Sequence, residues 1–284
     1  MFIFQLDTLD IVKELLEEAV RWNVIVTVVA VSLGYATYWI VGIKVHPSVL
    51  VVLGAGTFLV YGLDRRMPFS PEDRVGFHDR RGVPAWALAV DGVVMICACL
   101  ALSAAARIMV FGLGAFSMAY VMPVLPGRRR MKDIPFVKSA LVAMGWATAC
   151  VLVPLFDAPG AHMGRKAYML AAYRTLFLLP NAILADWPDR FADQRMGIRT
   201  LANSVSSSCL RNACIWIAVI QIVVWGSMVL AGGFSRWTLL ENVAPVCLLF
   251  ILGRPLPDVR LFYLIILDGL MVWPGILAWA AGGH

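Results

Sequence analysis

Three aspartates follow an apolar segment of the chain at regular spacing. Asp186, Asp189 and Asp193 come directly after "YMLAAYRTLFLLPNAILA", and on a helix positions i, i+3 and i+7 face the same way. Pro188 interrupts such a helix because it lacks a backbone donor. Magnesium prefers hard oxygen ligands and takes one or two carboxylates together with water and phosphate oxygens. The spacing leaves two interpretations open, a solvated loop at a helix end or a magnesium site.

The composition indicates where these carboxylates lie. Of 284 residues, 61% are hydrophobic and only 15% are charged, whereas soluble domains carry about 25% charged residues. Apolar segments long enough to cross a hydrocarbon core of about 30 Å recur along the whole chain. The sequence therefore predicts an all-α, polytopic membrane helical bundle with nine transmembrane helices. The predicted spans are 20–43, 47–63, 85–106, 108–125, 134–155, 165–185, 209–232, 237–252 and 260–281.

The first 19 residues differ from these spans. Segment 1–19 contains "LDIVKELLEEAV", which mixes apolar and charged positions at helical spacing. It lacks the basic start and small-residue cleavage site of a signal peptide. We expect an interfacial amphipathic helix lying along the membrane, followed by one transmembrane domain over 20–284.

The positions of lysine and arginine predict the orientation of the spans. With the N-terminus in the cytoplasm, 18 basic residues fall in inside segments or at the inner ends of spans, 5 in outside segments or at outer ends, and one, Arg174, deep within a span. This excess predicts a multi-pass protein of the cell inner membrane with a cytoplasmic N-terminus. The net charge of +6 therefore reflects membrane topology, and no nucleic-acid-binding motif is present. Most loop carboxylates lie in 64–84 and 186–208, so we expect any chemistry at the cytoplasmic face.

The segment "DWPDRFADQRMGIRTLA" resembles the second aspartate-rich motif of the UbiA superfamily of intramembrane prenyltransferases. That motif reads DxxDxxxD, then three residues, then G-x-[RK]-[ST]. The residues that match it in register are Asp186, Asp189, Asp193, Gly197, Arg199 and Thr200. The resemblance implies nine transmembrane helices, a cytoplasmic N-terminus and two cytoplasmic aspartate-rich loops. It further implies that the three aspartates bind Mg²⁺ and that Asp189 and Asp193 are catalytic.

A second segment, "MKDIPFVKSALVAMGWA", resembles the stretch that opens the fifth helix of the family. The resemblance implies that Lys138 helps to hold a diphosphate group. A lysine that flanks the inner end of a span is also common in membrane proteins of any function. Both interpretations of Lys138 stay open from the sequence.

The first aspartate-rich motif of the family, NDxxDxxxD, is degenerate in this chain. In the aligned stretch "VYGLDRRMP", Val60, Tyr61 and Pro68 replace the asparagine, the first aspartate and the last aspartate. Asp64 remains as a catalytic and metal-binding candidate, with Arg65 beside it. Four further groups follow in the same loop, and they either rebuild the metal site or are ordinary loop charges. These are Glu72, Asp73, His78 and Asp79.

The resemblance implies that a prenyl diphosphate ionises to an allylic cation and diphosphate. Cationic side chains suit the phosphate oxygens, and aromatic faces suit the allylic cation. The predicted substrate-binding residues are Arg65, Lys138, Arg199, Asn181, Tyr61 and Tyr173. The leading expectation is a Mg²⁺-dependent transferase that moves a prenyl group to a lipophilic acceptor. The alternatives are a UbiA-type terpene cyclase and a non-catalytic membrane protein that binds isoprenoids.

Three charged residues fall deep within predicted spans. Asp91, Arg174 and Asp268 lie in the third, sixth and ninth spans. Charges at such depth face a bundle interior or a cavity. We therefore expect Arg174 either to line a cavity or to pair with Asp91 or Asp268.

Overall fold

The computed structural model describes most of the transmembrane region. It covers residues 11, 14–66, 82–123, 131, 134, 137–160, 164–195, 199–257, 259 and 262–282. The first ten residues and all of segment 67–81 lie outside this set. Within the described residues the chain forms helices joined by turns and loops.

The described residues form α-helices of varied length, a 3₁₀ segment and a π-helical segment. Helix α1 covers 14–21. The remaining α-helices are α2 Val24–Val41, α3 Pro47–Arg66, α4 Ala85–Leu100, α5 Ala104–Val121, α6 Val137–Asp157, α7 Arg165–Leu184, α8 Arg190–Arg195, α9 Leu201–Ser204, α10 Ser207–Leu230, α11 Val243–Leu252 and α12 Asp268–Ala280. A 3₁₀ segment, Arg236–Asn242, precedes α11, and a π-helical segment, Phe262–Leu267, precedes α12.

The count of membrane crossings differs from the sequence expectation in two places. Among the described residues, seven helices are long and apolar enough to cross a membrane. Helix α4 has 16 residues and α11 has only 10. The 7-residue 3₁₀ segment rises about 14 Å and α11 about 15 Å, so together they match a hydrocarbon core of about 30 Å. The bundle is confirmed, and the count of nine crossings stays a prediction.

The core of the bundle lies where α2, α6, α7, α11 and α12 meet. Val29 and Leu33 of α2 pack in one buried cluster with Ala143 and Ala147 of α6, while Ile40 packs in another with more distal residues of α6. Residues further along α2 therefore contact residues further along α6, so the two helices run parallel.

Helix α2 also approaches α12 very closely. A β-carbon on Gly275 would lie 1.9 Å from Ser32 Oγ and 2.9 Å from Ser32 Cα. Ser32 Oγ donates to the carbonyl of Val272 at 2.9 Å, so a small residue allows the two backbones to meet.

One end of the bundle collects the helix ends that the sequence predicts to be cytoplasmic. Trp22, before α2, and Leu63, near the end of α3, both pack against the start of α4. A second cluster joins Leu184, at the end of α7, to Leu210, near the start of α10. Both predicted aspartate-rich segments therefore begin at this same end.

Candidate functional site

An ion pair joins the ends of α6 and α7 at this end of the bundle. Lys138 Nζ donates to Asp186 Oδ1 at 2.5 Å, and only 12% of the Asp186 side chain is exposed. Lys138 is the second residue of α6, and Asp186 lies two residues after α7. The next residue, Ser139, donates its hydroxyl to the carbonyl of Ala182 at 3.2 Å and holds the two helices in register. The structure thus brings Lys138, which is predicted to bind phosphate, into contact with Asp186, the first carboxylate of the motif.

The rest of the second motif folds as a turn followed by the short helix α8. The amide of Asp193 donates to the carbonyl of Asp189 at 2.9 Å, which places the second and third aspartates one helical turn apart. Pro188 lies in the turn between α7 and α8. The proline therefore separates two helices here, as its missing donor predicts.

Sequence reasoning missed Arg190, which lies between these carboxylates. Its guanidinium carbon is 3.9 Å from the ring centre of Trp187 and 4.2 Å from that of Phe191. The same side chain donates to the carbonyl of Trp187 at 2.7 Å and is only 9% exposed. The signal in the sequence was an arginine between two aromatic residues. The face of Trp187 therefore holds this guanidinium.

The end of the second motif is ordered by local hydrogen bonds. Arg199 is exposed, and Thr200 is buried. The amide of Thr200 donates to Asn203 Oδ1 at 2.9 Å, and Ser204 donates its hydroxyl back to the carbonyl of Thr200 at 2.6 Å. Gly197 lies outside the described residues.

The degenerate first motif lies in the last two turns of α3. Asp64 is two residues before the end of that helix, and Tyr61 lies one turn earlier. The ring of Tyr61 meets that of Trp146 edge to face, with centroids 6.2 Å apart. Trp146 is two turns into α6, the helix that carries Lys138. The contact therefore joins the first motif to α6, the helix that carries Lys138, the residue predicted to bind the diphosphate.

Several predicted residues of the first loop lie outside the described part of the chain. They are the side chain of Arg65 and the groups Glu72, Asp73, His78 and Asp79. Arg66 is described, and its Nε donates to the carbonyl of Val83 at 2.8 Å, which ties the end of α3 to the start of α4.

Asn181 is fully engaged inside the bundle. Its Nδ2 donates to Asp268 Oδ1 at 2.7 Å and contacts Met271 Sδ at 3.3 Å. The pair joins α7 to the start of α12, about one turn inside the Lys138–Asp186 ion pair. Its predicted role in substrate binding remains an expectation, whereas its contact with Asp268 is a structural link.

The expected partners of Arg174 are wrong. Arg174 pairs with Glu241 through two hydrogen bonds of 2.8 Å, and both side chains are 0% exposed. Asp268 is instead bonded to Asn181. The sequence held the signal, because Glu241 is a carboxylate inside the predicted span 237–252. A guanidinium and a carboxylate satisfy each other at two points, which a lone bond to a distant aspartate would not do.

The structure places Tyr173 away from the carboxylates. It lies eleven residues before the end of α7, roughly 16 Å along the helix. Its side chain is fully buried, and its ring stacks on that of Trp225 with centroids 4.0 Å apart. We therefore leave Tyr173 out of the site that we propose.

The described carboxylates suit a divalent cation in their chemistry. Asp64, Asp186, Asp189 and Asp193 offer hard oxygen atoms, the ligands that Mg²⁺ prefers. In the part of the chain that the structure describes, no three His, Cys, Asp or Glu side chains already form a metal-binding group. Magnesium that binds with a phosphorylated substrate needs only one or two protein carboxylates. These residues therefore fit a metal held jointly with substrate rather than a closed protein cage.

Two solved structures share this architecture. A UbiA homolog from Archaeoglobus fulgidus bound to Cd²⁺ is 14% identical, with a TM-score of 0.60 over 92% of this chain and 98% of that protein. A second structure of a UbiA homolog from the same organism gives 14% identity and a TM-score of 0.56 over 93% of this chain and 99% of the other. No protein-family model matches the chain, and no curated protein sequence does.

The likeness covers nearly the whole of both chains. At 14% identity it establishes the fold. The aspartate motif lies at the helix ends that this fold brings together. The chain therefore has the UbiA fold, which supports the membership of the UbiA superfamily that its second aspartate-rich motif predicts.

Proposed function

We propose that this protein is an integral membrane prenyltransferase that moves a prenyl group from a prenyl diphosphate to a lipophilic acceptor. The observation that carries the proposal is the Lys138–Asp186 ion pair. It joins a cation suited to phosphate oxygens to a carboxylate suited to a metal, at one end of a UbiA fold. An apolar bundle beside this site suits the prenyl chain, and the surrounding membrane lipids deliver both substrates.

The reaction requires an anionic leaving group to be stabilised. The allylic carbon–oxygen bond breaks, its electron pair leaves with diphosphate, and the acceptor attacks the allylic carbon and then loses a proton. Asp64, Asp186, Asp189 and Asp193 would hold Mg²⁺, which would supply positive charge to the leaving diphosphate. Lys138 and Arg199 provide further cations for the phosphate oxygens.

The ion pair also suggests how the two groups would engage the substrate. The ammonium of Lys138 neutralises Asp186 at 2.5 Å. Bound diphosphate would offer Lys138 new oxygen partners, and Asp186 would then be able to hold Mg²⁺. The exchange replaces one charge-assisted pair by two, so it costs little desolvation.

A second candidate is a terpene cyclase, and the first motif favours it. Tyr61 stands where the family has an aspartate, and its ring packs edge to face against Trp146. An aromatic pair near an ionising diphosphate suits a carbocation that must persist and rearrange without an acceptor.

Product analysis tests these candidates. Purified protein with Mg²⁺ and prenyl diphosphates of C10 to C20 should release diphosphate only when an acceptor is present. Release with a hydrocarbon product and no acceptor identifies the cyclase. Absence of release under all conditions leaves isoprenoid binding without catalysis.

The motif carboxylates provide the mutational test. Asp189→Ala and Asp193→Ala should each abolish diphosphate release, because each removes a group that acts on the leaving anion. Glu17→Gln, an exposed carboxylate of α1, is the matched control and should leave the rate unchanged. Near-normal turnover of either motif variant at saturating prenyl diphosphate would remove the second motif from the site.

A further inference from the structure

Asn23 precedes α2 and has an unusual combination of properties. It is 1% exposed, and neither its Oδ1 nor its Nδ2 has a hydrogen-bond partner among the described residues. Buried polar side chains in native proteins are nearly always hydrogen-bonded, so an amide with two unpartnered atoms needs an explanation. Leaving such a group unpaired is costly, and a bound ligand would remove that cost.

The local backbone shows that Asn23 does not perform the usual task of its position. Asparagine is among the best residues at a helix N-cap, where its side chain accepts from the first turn. Asn23 occupies the N-cap of α2 but makes no such bond, because its φ of 56° and ψ of 21° are left-handed. It is the one non-glycine residue with positive φ in the described part of the chain. The first amides of α2 also lack the side-chain acceptor that an extended N-cap would provide.

The depth of Asn23 follows from contacts along α2 and α6. Thr37 donates its hydroxyl to the carbonyl of Cys150 at 2.8 Å, which fixes one common level of these parallel helices. Asn23 lies 14 residues before Thr37, and Lys138 lies 12 residues before Cys150, so their depths differ by only about 3 Å.

A second cluster places the start of α2 at the same end of the bundle as the end of α3. Its neighbour Trp22 packs against the same buried cluster as Leu63, the residue before Asp64. Asn23 therefore lies at the level of both predicted aspartate segments, at the predicted cytoplasmic end of the bundle.

The chemistry at this point favours an anion. The N-terminus of an 18-residue helix carries partial positive charge and free amide donors. The amide of Asn23 adds a neutral donor that binds an oxyanion without adding charge to the low-dielectric interior. The described carboxylates of the site lie on other helices, and the first turn of α2 contains no acidic residue.

We propose that Asn23, together with the first turn of α2, binds an anionic oxygen of a substrate at the predicted active site. This inference rests on the proposed function for the identity of the substrate. The anion is either the diphosphate of the prenyl donor or an acidic group of the acceptor. In both cases Nδ2 of Asn23 donates to the oxygen.

Asn23→Gly isolates this role, because glycine adopts positive φ freely and substitutes at an N-cap at little cost. The ligand-free variant should melt at the wild-type temperature or above, since an unpartnered amide has been removed. At an inorganic diphosphate concentration 100 times the wild-type Kd, the rise in Tm should fall to about half or less, as expected for binding ten- to a hundredfold weaker. If the donor supplies the anion, the KM for prenyl diphosphate should rise by the same factor.

Asn23→Asp keeps the shape and reverses the charge preference. It should weaken anion binding more than Asn23→Gly does. Gln221→Met is the matched control, because Gln221 is also 1% exposed with an unpartnered Nε2 but lies in the middle of α10. Its ligand-induced rise in Tm should equal that of the wild type.

The choice of probe separates the two sources of the anion. A wild-type response to inorganic diphosphate that Asn23→Gly removes assigns the anion to the donor. A wild-type response to inorganic phosphate or benzoate that Asn23→Gly removes, while the response to diphosphate stays unchanged, assigns the anion to the acceptor.

Three results would overturn the inference. The first is an Asn23→Gly variant that responds to these anions as the wild type does. The second is a lower Tm of the ligand-free variant with an unchanged ligand response, and the third is a wild-type protein that responds to none of the anions. The proposed function fails separately. A wild type that releases no diphosphate from prenyl substrates, but loses its anion response in Asn23→Gly, supports the inference alone.

Discussion

Single residues of this protein divide into groups that hold the bundle and groups that face its predicted cytoplasmic end. Arg174 and Glu241 bind each other through two hydrogen bonds inside the bundle. Lys138 and Asp186 pair as well, but 32% of the lysine side chain is exposed and can exchange its partner. The same chemistry of opposite charges therefore serves stability at one depth and, in the function that we propose, substrate binding at another.

The first motif provides a prediction at the scale of one carboxylate. Asp64→Asn should lower the rate of diphosphate release by orders of magnitude, because it removes charge that stabilises the transition state through the metal. Tyr61→Phe should cost far less, since a phenol with a pKa near 10 is a poor Mg²⁺ ligand and the ring remains beside Trp146.

Initial rates at saturating Mg²⁺ give this comparison, with Glu72→Gln, Asp73→Asn and Asp79→Asn as loop controls that should be mild. The reverse order, an inactive Asp73→Asn beside an unaffected Asp64→Asn, would mean that the site is rebuilt further along the loop.

The buried ion pair gives a prediction on stability. Arg174→Met or Glu241→Gln should lower the free energy of unfolding by about 3–5 kcal/mol, because each leaves the remaining charge of the pair buried and uncompensated. The double variant Arg174→Met with Glu241→Leu should recover most of that loss, since an apolar pair needs no compensation.

Unfolding in mixed detergent micelles measures these differences. Arg236→Gln changes an exposed arginine of the 3₁₀ segment that also contains Glu241, and it should stay within about 0.5 kcal/mol of the wild type. A double variant as unstable as both single variants added together would show that the pair is not the source of the stability.

Elements of the fold were predictable where their pattern is long and apolar. The spans predicted from hydropathy coincide with α2, α3 and α7 to within a few residues. The eighth span was predicted as one segment, but it contains a 3₁₀ segment and a 10-residue α-helix. Hydropathy shows which residues avoid water, but it does not show whether their backbone hydrogen bonds have 3₁₀, α or π spacing. The π-helical start of the last crossing was hidden for the same reason.

The contact between α2 and α12 provides a prediction at this scale. Gly275→Ala should destabilise the bundle by about 1–3 kcal/mol, because its β-carbon would meet Ser32 Oγ at 1.9 Å and the Ser32 backbone at 2.9 Å. Gly269→Ala in the same helix has open space and should be neutral or slightly stabilising. Thermal unfolding of the two variants in one detergent makes the comparison, and equal Tm values would refute the close approach.

At the scale of the whole molecule, topology was the most accessible property from the sequence, and side-chain pairing the least. The charge asymmetry and apolar spans predict which helix ends lie together, and the structure gathers those ends. Pairs such as Asn181 with Asp268 are separated by 87 residues, and a single sequence carries no signal for them. Asn23 was missed because its proposed role depends on burial, which neither spacing nor composition reveals.

Labelling tests the predicted orientation. In a cysteine-free background, Arg195→Cys should react only with reagents that reach the cytoplasm, since the 18-to-5 excess of basic residues places that loop inside. Ser235→Cys, exposed at the opposite end of the bundle, should react from outside intact cells. Reaction of position 195 from outside would reverse the topology.

The Arg174–Glu241 pair also has a consequence for biosynthesis. A charged residue at the centre of a helix raises the free energy of membrane insertion by about 2.5–3.5 kcal/mol, so neither segment inserts well alone. The partners are 67 residues apart, which a ribosome covers in roughly 3–13 s at 5–20 residues per second. We expect α7 to wait beside the translocon for that interval and to enter the lipid together with the 3₁₀ segment, so that the two charges leave water as one neutral unit.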